Sequence, residues 1–385
     1  MGSTQLVEKK SFPFLDLKAQ FSPIRQEIIA AVTRVLDSQH FILGPEVAAF
    51  EQEVADYLGC KFAIGCASGS DALLIALMAL GIGPGDEVIT VPFTFVATAS
   101  SIARLGAVPV FVDIDPTTYN LDPGALENSI TKNTKAILPV HLFGLPAELG
   151  SILEIADRYG LPVLEDAAQA LGAVYRSKKV GRWGSMGCFS FFPSKNLGGA
   201  GDGGLVTTDD PALAERLRLL RAHGSRSKYE YELLGTNSRL DALQAAILRV
   251  KLQYLDEWTE GRRSNAARYR DLIHHAGLSS RVGVPCEPPD SRHVYNQFTI
   301  RVDQRDTLRE FLQSEGIHTE IYYPFPLHLQ PAFAELGYKA GSIPQAERAS
   351  REVLSIPVFP ELSVDQQELV VGRIADFFVY DHEGK

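Results

Sequence analysis

The sequence predicts an α/β protein built around a mostly parallel sheet, and three observations carry that prediction. Between about residue 60 and residue 210, short β-branched runs alternate with helical patterns. The runs are apolar throughout, as suits strands covered on both faces. The last two are separated only by the glycine-rich residues 193–203, too short for a parallel crossover, which predicts one antiparallel pair.

In chain order, the expected strands are residues 62–65, 87–91, 109–114, 135–142, 162–165, 187–192 and 204–208. Helical stretches at 70–80, 97–105 and 149–159 lie between them. After the last strand, Leu213, Leu217 and Leu220 keep helical spacing, as do Leu240, Leu243, Ile247 and Val250, and a long helical stretch runs to about Ala276. The C-terminal third (294–302, 307–315, 317–323, 345–354) reads as a smaller α+β lobe with proline-rich joints at 285–289 and 323–331. The expected division is a large domain over 1–255, including the N-terminal segment, and a small domain over 256–385.

Composition narrows the function classes. The 385 residues carry 37 Lys+Arg against 47 Asp+Glu, a net charge of −10, and no basic stripe is apparent, so nucleic acid is a poor partner. With 45% hydrophobic residues the chain can offset the entropy of ordering, which excludes disorder as the dominant state. Cys60, Cys66, Cys188 and Cys286 form no CxxC pair and no disulfide framework. Residues 1–10 hold no apolar run of the secretory kind, and the uncharged stretches 72–85 and 88–103 are too short or too broken to span a bilayer. The expectation is a soluble cytoplasmic protein without membrane contact.

Four segments can carry chemistry. Lys195 lies just beyond an apolar strand, in a glycine-rich loop; partial burial there lowers an amine's pKa and frees it as a nucleophile or Schiff-base former, although most loop lysines are simply solvated. Asp166 ends a buried strand, where open α/β sheets place ligand-binding groups. One acid of the Glu165–Asp166 pair must face inward and needs a cationic or hydrogen-bonded partner, such as a protonated pyridine nitrogen. Capping the following turn is the plainer use of Asp166. The loop Ser68-Gly69-Ser70-Asp71 opens an apolar helix, which suits N-capping and also a phosphate. The run from Gly198 to Gly204 precedes a strand rather than a helix, so it is no dinucleotide fingerprint and reads as a tight loop giving Lys195 room to move. His141 is isolated and reads as structural; no metal site is expected.

These segments together resemble the DegT/DnrJ/EryC1/StrS family of pyridoxal 5′-phosphate (PLP)-dependent nucleotide-sugar aminotransferases. The matching stretches run nearly end to end: Phe14-Leu15-Asp16-Leu17, Ile42-Leu43-Gly44-Pro45, Ser68-Gly69-Ser70-Asp71-Ala72-Leu73, Gly85-Asp86-Glu87-Val88-Ile89, Phe93-Thr94-Phe95-Val96-Ala97-Thr98, Glu165-Asp166-Ala167-Ala168-Gln169, the segment from Phe189 to Lys195, Asn237-Ser238-Arg239-Leu240-Asp241 and Tyr322-Tyr323-Pro324. The resemblance implies a fold-type-I PLP-dependent transferase, with a seven-stranded sheet holding one antiparallel strand and a smaller C-terminal α+β domain. It implies Lys195 as the Schiff-base lysine and Asp166 as partner of the pyridine nitrogen. Gln169 would lie near the phenolic oxygen, Gly69, Ser70 and Ser190 would hold the phosphate, and Phe95 would stack on the ring. Asn237 would reach the phosphate of a neighbouring subunit, making the active site a property of a homodimer. Arg239, Tyr322 and Tyr323 would line the sugar-nucleotide cleft.

The implied reaction moves an amino group from L-glutamate, leaving 2-oxoglutarate, through the pyridoxamine form to a keto sugar on UDP or dTDP. Phe192 and the Gly-Ala-Gly-Asp-Gly-Gly run resemble members that aminate C3, whereas many C4-aminating relatives carry His before the proline and Thr-Thr-Gly-Glu-Gly-Gly after the lysine. Some relatives place His where this chain has Tyr322. The alternatives are the same reaction at C4, a sugar dehydratase, whose branch replaces the lysine by His, and a PLP-binding regulatory homologue.

Overall fold

The computed structural model describes residues 12–383, with side chains to residue 379. Strands Phe62–Cys66, Gly204–Thr208, Met186–Ser190 and Leu164–Asp166 lie in that order in a four-stranded sheet. Gly204–Thr208 runs antiparallel to both neighbours, and Met186–Ser190 runs parallel to Leu164–Asp166. A three-stranded parallel sheet holds Val108–Phe111, Glu87–Thr90 and Thr134–Ile137. Single parallel bridges, Ile137 to Val163 and Val140 to Asp166, join the two sheets edge to edge.

Local sequence explains the elements that frame the site. Gly69–Ala79 is apolar around its whole circumference and is buried on nearly every side, wedged among the strands and the helix Pro211–Leu220. Ser68 caps it, its Oγ accepting from the Asp71 N–H at 3.1 Å. Asp210 caps the helix Pro211–Leu220, with proline at the first helical position.

One predicted strand ends well short of its expected bound. The strand expected over 135–142 ends at Ile137, and Leu142–Gly144 is a 3₁₀ turn in which Phe143 has φ of 60°. Burial of the apolar run continues beyond the ladder, so apolarity alone could not mark where the strand stops. Residues 317–323 form no strand and contribute only isolated bridges at Ile317 and Glu320. The N-terminal helices Leu17–Ser38 and Pro45–Leu58 were not anticipated. Asp16 caps the first, accepting from Lys18 and Ala19 N–H.

The C-terminal residues have their own apolar core, in which Phe298, Ile300, Leu354 and Ile356 of the antiparallel pair Phe298–Arg301/Val353–Ile356 meet Tyr269, Leu308, Val370 and Ile374. Phe12 joins this core and bridges to Ile317. The long helix Leu255–His275 passes between cores, with Leu255 and Trp258 in the core around the N-terminal helices and Tyr269 and Ile273 in the C-terminal one. Among the described residues no helix is long and apolar enough to cross a membrane.

Candidate active site

Asp166 stands at the carboxyl end of its strand, 5% exposed. Its Oδ2 accepts from Thr98 Oγ1 at 2.8 Å and its Oδ1 from the Ala168 N–H at 3.2 Å. Burial raises its pKa above the ordinary carboxyl value, opposed by those hydrogen bonds and by the charge of Lys195. Thr98 sits on the helix Val96–Ala103, and Thr94 Oγ1 lies 3.0 Å from its hydroxyl.

Lys195 follows the strand Met186–Ser190 in a turn closed by its own N–H donating to the Phe192 carbonyl at 2.8 Å. Burial pushes its amine down to about 8, against the pull of the Asp166 carboxylate. Each group therefore acts on the other, and both are displaced towards neutrality. The glycine run is not slack. Gly199 N–H donates to Phe191 O at 2.8 Å, Ala200 N–H to Gln244 Oε1 at 2.8 Å, and Lys251 Nζ to Gly198 O at 2.5 Å. Gly198 is needed for close approach, because a Cβ there would collide with the Pro193 carbonyl. The loop is tight, as expected of its glycines.

Around this pair stand the other predicted residues. Gln169 is buried, its Oε1 accepting from the Phe143 N–H at 2.6 Å and its Nε2 donating to the Tyr323 hydroxyl at 3.1 Å. The Tyr323 ring lies 6.4 Å from that of Phe95 and 6.2 Å from that of Phe93. Phe95 is 55% exposed, an open aromatic face at the start of its helix. Tyr322 is half-buried against Phe14, with ring centroids 6.3 Å apart.

Gly69 and Ser70 occupy the first turn of their helix, where backbone N–H groups have no helical partner. Ser190, at the end of Met186–Ser190, sits directly beside them: a Cβ on Gly69 would come within 2.6 Å of Ser190 Cβ and 3.0 Å of its Oγ. The cradle exists because residue 69 has no side chain. Asn237 and Arg239 are different. Asn237 is exposed and bridges to Ala222, Arg239 is half-buried, and among the described residues no hydrogen bond joins either to the Lys195–Asp166 cluster.

His141 closes a structural network on the opposite side of the strand. Its Nδ1 accepts from the Ala147 N–H at 2.9 Å, which leaves Nε2 to donate to Glu165 at 3.0 Å. Glu165 also accepts from the N–H groups of Gly181, Trp183 and Gly184 at 2.7, 2.7 and 2.9 Å. Although burial works to raise its pKa, these bonds hold its carboxyl below the usual value. Both acids of the pair are thus buried, not one, because the sheet is covered on both faces.

These residues fit PLP. A glycine-opened helix start beside Ser190, an open aromatic face, a buried carboxylate with no ion pair among the described residues and a depressed amine are what a flat, phosphorylated pyridine aldehyde requires. Thr98, which orients Asp166, was missed as a site residue, although it lies in one of the stretches carrying the family resemblance.

The model of the DegT/DnrJ/EryC1/StrS aminotransferase family matches residues 22–375. A Geobacillus stearothermophilus pleiotropic regulatory protein is 54% identical, over 95% of this chain and 98% of its own. The UDP-N-acetyl-3-dehydro-α-D-glucosamine 3-aminotransferase of Acidithiobacillus ferrooxidans is 47% identical, over 96% and 98%. The crystal structure of Streptomyces venezuelae DesV in complex with a ketimine intermediate superimposes with a TM-score of 0.92 at 48% identity, covering 95% of this chain and 98% of that one.

Proposed function

From the premise that this chain belongs to the DegT/DnrJ/EryC1/StrS aminotransferase family and is a PLP-dependent sugar transaminase, we propose that it transfers the amino group of L-glutamate to C3 of a keto sugar carried on UDP or dTDP. The observation that carries this reading is the buried Asp166 carboxylate acting on an amine, Lys195, that burial has brought down to about 8. C3 is supported by Phe192 before Pro193, by the glycine run after Lys195, and by the Acidithiobacillus relative, whose name places its chemistry at position 3.

PLP, when bound, supplies an electron sink for the carbanion left by loss of an α-proton. Asp166, oriented by Thr98 and the Ala168 N–H, would pair with the pyridine nitrogen and keep it protonated. Gly69, Ser70 and Ser190 would hold the phosphate, Phe95 would stack on the ring, and Gln169, fixed by Phe143 and Tyr323, would lie near the phenolic oxygen. Lys195 takes the proton from the α-carbon of L-glutamate and, in the reverse half, delivers a proton to the sugar carbon that receives the amine, an acid–base task suited to a group near neutrality. The products are 2-oxoglutarate and the amino sugar. Arg239, Tyr322 and Tyr323 line the sugar-nucleotide cleft.

The two sheets act as one seven-stranded platform with a single antiparallel strand, and residues from 256 on form the small domain. The working unit is a cytoplasmic homodimer in which Asn237 reaches the partner's phosphate. Apolar side chains left exposed on the first N-terminal helix (Phe21, Leu36) and on the segment before Asn237 (Tyr229, Tyr231, and Leu234 at 93% exposure) support that assembly.

The test is spectroscopic. L-glutamate should change the visible absorbance of the PLP-loaded protein, and a UDP- or dTDP-linked 3-keto sugar should restore it, with the amino sugar identified by mass. Use of 4-keto but not 3-keto sugars would move the reaction to C4. An absorbance indifferent to glutamate would favour the second reading, a PLP-binding regulator, which the name of the Geobacillus relative supports.

A further inference from the structure

A cleft of about 220 Å³ lies against the Lys195 turn, lined by Phe14, Ser194, Arg262, Asn296, Gln297 and Tyr322, with Leu15, Val358 and Phe359 completing its wall. Its floor is unusual in charge and in hydrogen bonding. Arg262 is 4% exposed, and its Nη1 donates to the carbonyls of Tyr295 at 3.1 Å and Asn296 at 3.3 Å. Among the described residues no carboxylate pairs with it, Glu361 acting only from a distance. A guanidinium held this way has further N–H groups to offer, and burying it without a counter-charge is costly.

The oxygens of the neighbouring amides also lack partners. Asn196 Nδ2 donates to Val294 O at 2.9 Å, so Asn196 Oδ1 must accept from Asn296 Nδ2 at 2.8 Å. That fixes the Asn296 amide and leaves its Oδ1 without a donor; Gln297 Oε1 is likewise unpaired. Both side chains are more than nine-tenths buried. A buried cation without an anion, beside two buried acceptors without donors, describes a ligand carrying an anionic fork and hydroxyl or amine hydrogens. The residues flanking Lys195 on both sides take part, since Ser194 lines the cleft and Asn196 orients Asn296.

We infer that this cleft is a carboxylate site, in which Arg262 receives the acid group of a substrate while Asn296 and Gln297 accept hydrogen bonds from its hydroxyl or amine groups. A planar carboxylate matches the guanidinium fork. Only the identity of the acid rests on the proposed reaction: it is either the distal carboxylate of the amino donor or the carboxylate of a sugar acid.

Calorimetric titration of the full-length PLP-loaded protein separates these sources, with glutarate standing for the donor, UDP-glucuronate for the sugar acid and UDP-glucose for a nucleotide sugar lacking a carboxylate. One of the two acids should bind, and Arg262→Gln should weaken it by about tenfold or more while leaving UDP-glucose unchanged. Because Arg262 also ties two backbone carbonyls, Ser194→Asp provides an independent variant. That residue is exposed at the cleft, so a carboxylate there should weaken the same acid without lowering the melting temperature. The inference is overturned if neither acid binds, if both variants bind the acid as tightly as the wild type, or if UDP-glucose is as sensitive to Arg262→Gln as the acids are. Glutarate binding requires no turnover, so a positive titration without amino transfer would sink the proposed reaction and leave the site standing.

Discussion

Glu165 and Asp166 are consecutive, both carboxylates and both buried, yet they belong to different chemistries. Glu165 faces the side of the strand where three backbone N–H groups and His141 Nε2 converge on it. Asp166 faces the other side with one hydroxyl and one backbone N–H. The first carboxyl is held below its usual pKa and the second is raised above it. Saturated hydrogen bonding fixes structure, whereas incomplete satisfaction beside a desolvated lysine leaves room for a ligand's charge.

The sharpest break in that contrast comes from Lys195→Ala. Turnover should fall by about 10³-fold or more, because the two roles proposed for this amine, covalent attachment and proton transfer, are both lost. Far-UV circular dichroism should be unchanged. Retained turnover would remove Lys195 from the site.

Asp166→Asn should lower turnover by roughly 10²–10³-fold, the range for losing one preorganised electrostatic partner. A carboxyl whose pKa is raised on folding costs stability at pH values above its unfolded pKa of about 3.9. The melting temperature at neutral pH should therefore hold or rise. A large drop would make Asp166 structural, like its neighbour.

Glu165→Gln should do the opposite. Its amide would present hydrogens to donors, costing about 3 kcal/mol or more in denaturant unfolding. The stability that Glu165 supplies is present above its unfolded pKa and is lost as pH falls through the depressed folded value. Activity per folded molecule should stay within about twofold of wild type, a change of under 1 kcal/mol. Normal stability with lost activity would reverse the assignment of the two faces.

The smallest effect is a shift in titration. In the cofactor-free protein, acylation of Lys195 should rise with pH about a midpoint near 8. Asp166→Asn removes a charge that favours the ammonium, so the midpoint should move down by about one unit. An upward shift would show that the two groups do not act on each other.

Much of this site was legible because strand ends and helix starts leave local signatures. Lys195 beyond an apolar run, Asp166 at a strand terminus and Ser68-Gly69-Ser70 before an apolar helix all declare themselves within a few residues. Long-range partners do not. Thr98 meets Asp166 across 68 positions, and Gln169 meets Tyr323 across 154, with no periodicity to link them. The end of the strand at Ile137 is hidden by the continuing apolar run, and the burial of Glu165 by strand alternation, which turns neighbouring side chains to opposite faces. Strands covered on both faces, themselves read correctly from composition, already implied that both acids had to be satisfied inside.

The central claim is that Lys195 is the amine that engages PLP. Borohydride treatment of the PLP-loaded protein, followed by proteolysis and mass spectrometry, tests it directly. The account predicts phosphopyridoxyl mass on the peptide containing Lys195 and none on that containing Lys251, a buried lysine beside the glycine-rich loop. Label on Lys251 or on any other lysine, with Lys195 unmodified, would contradict it.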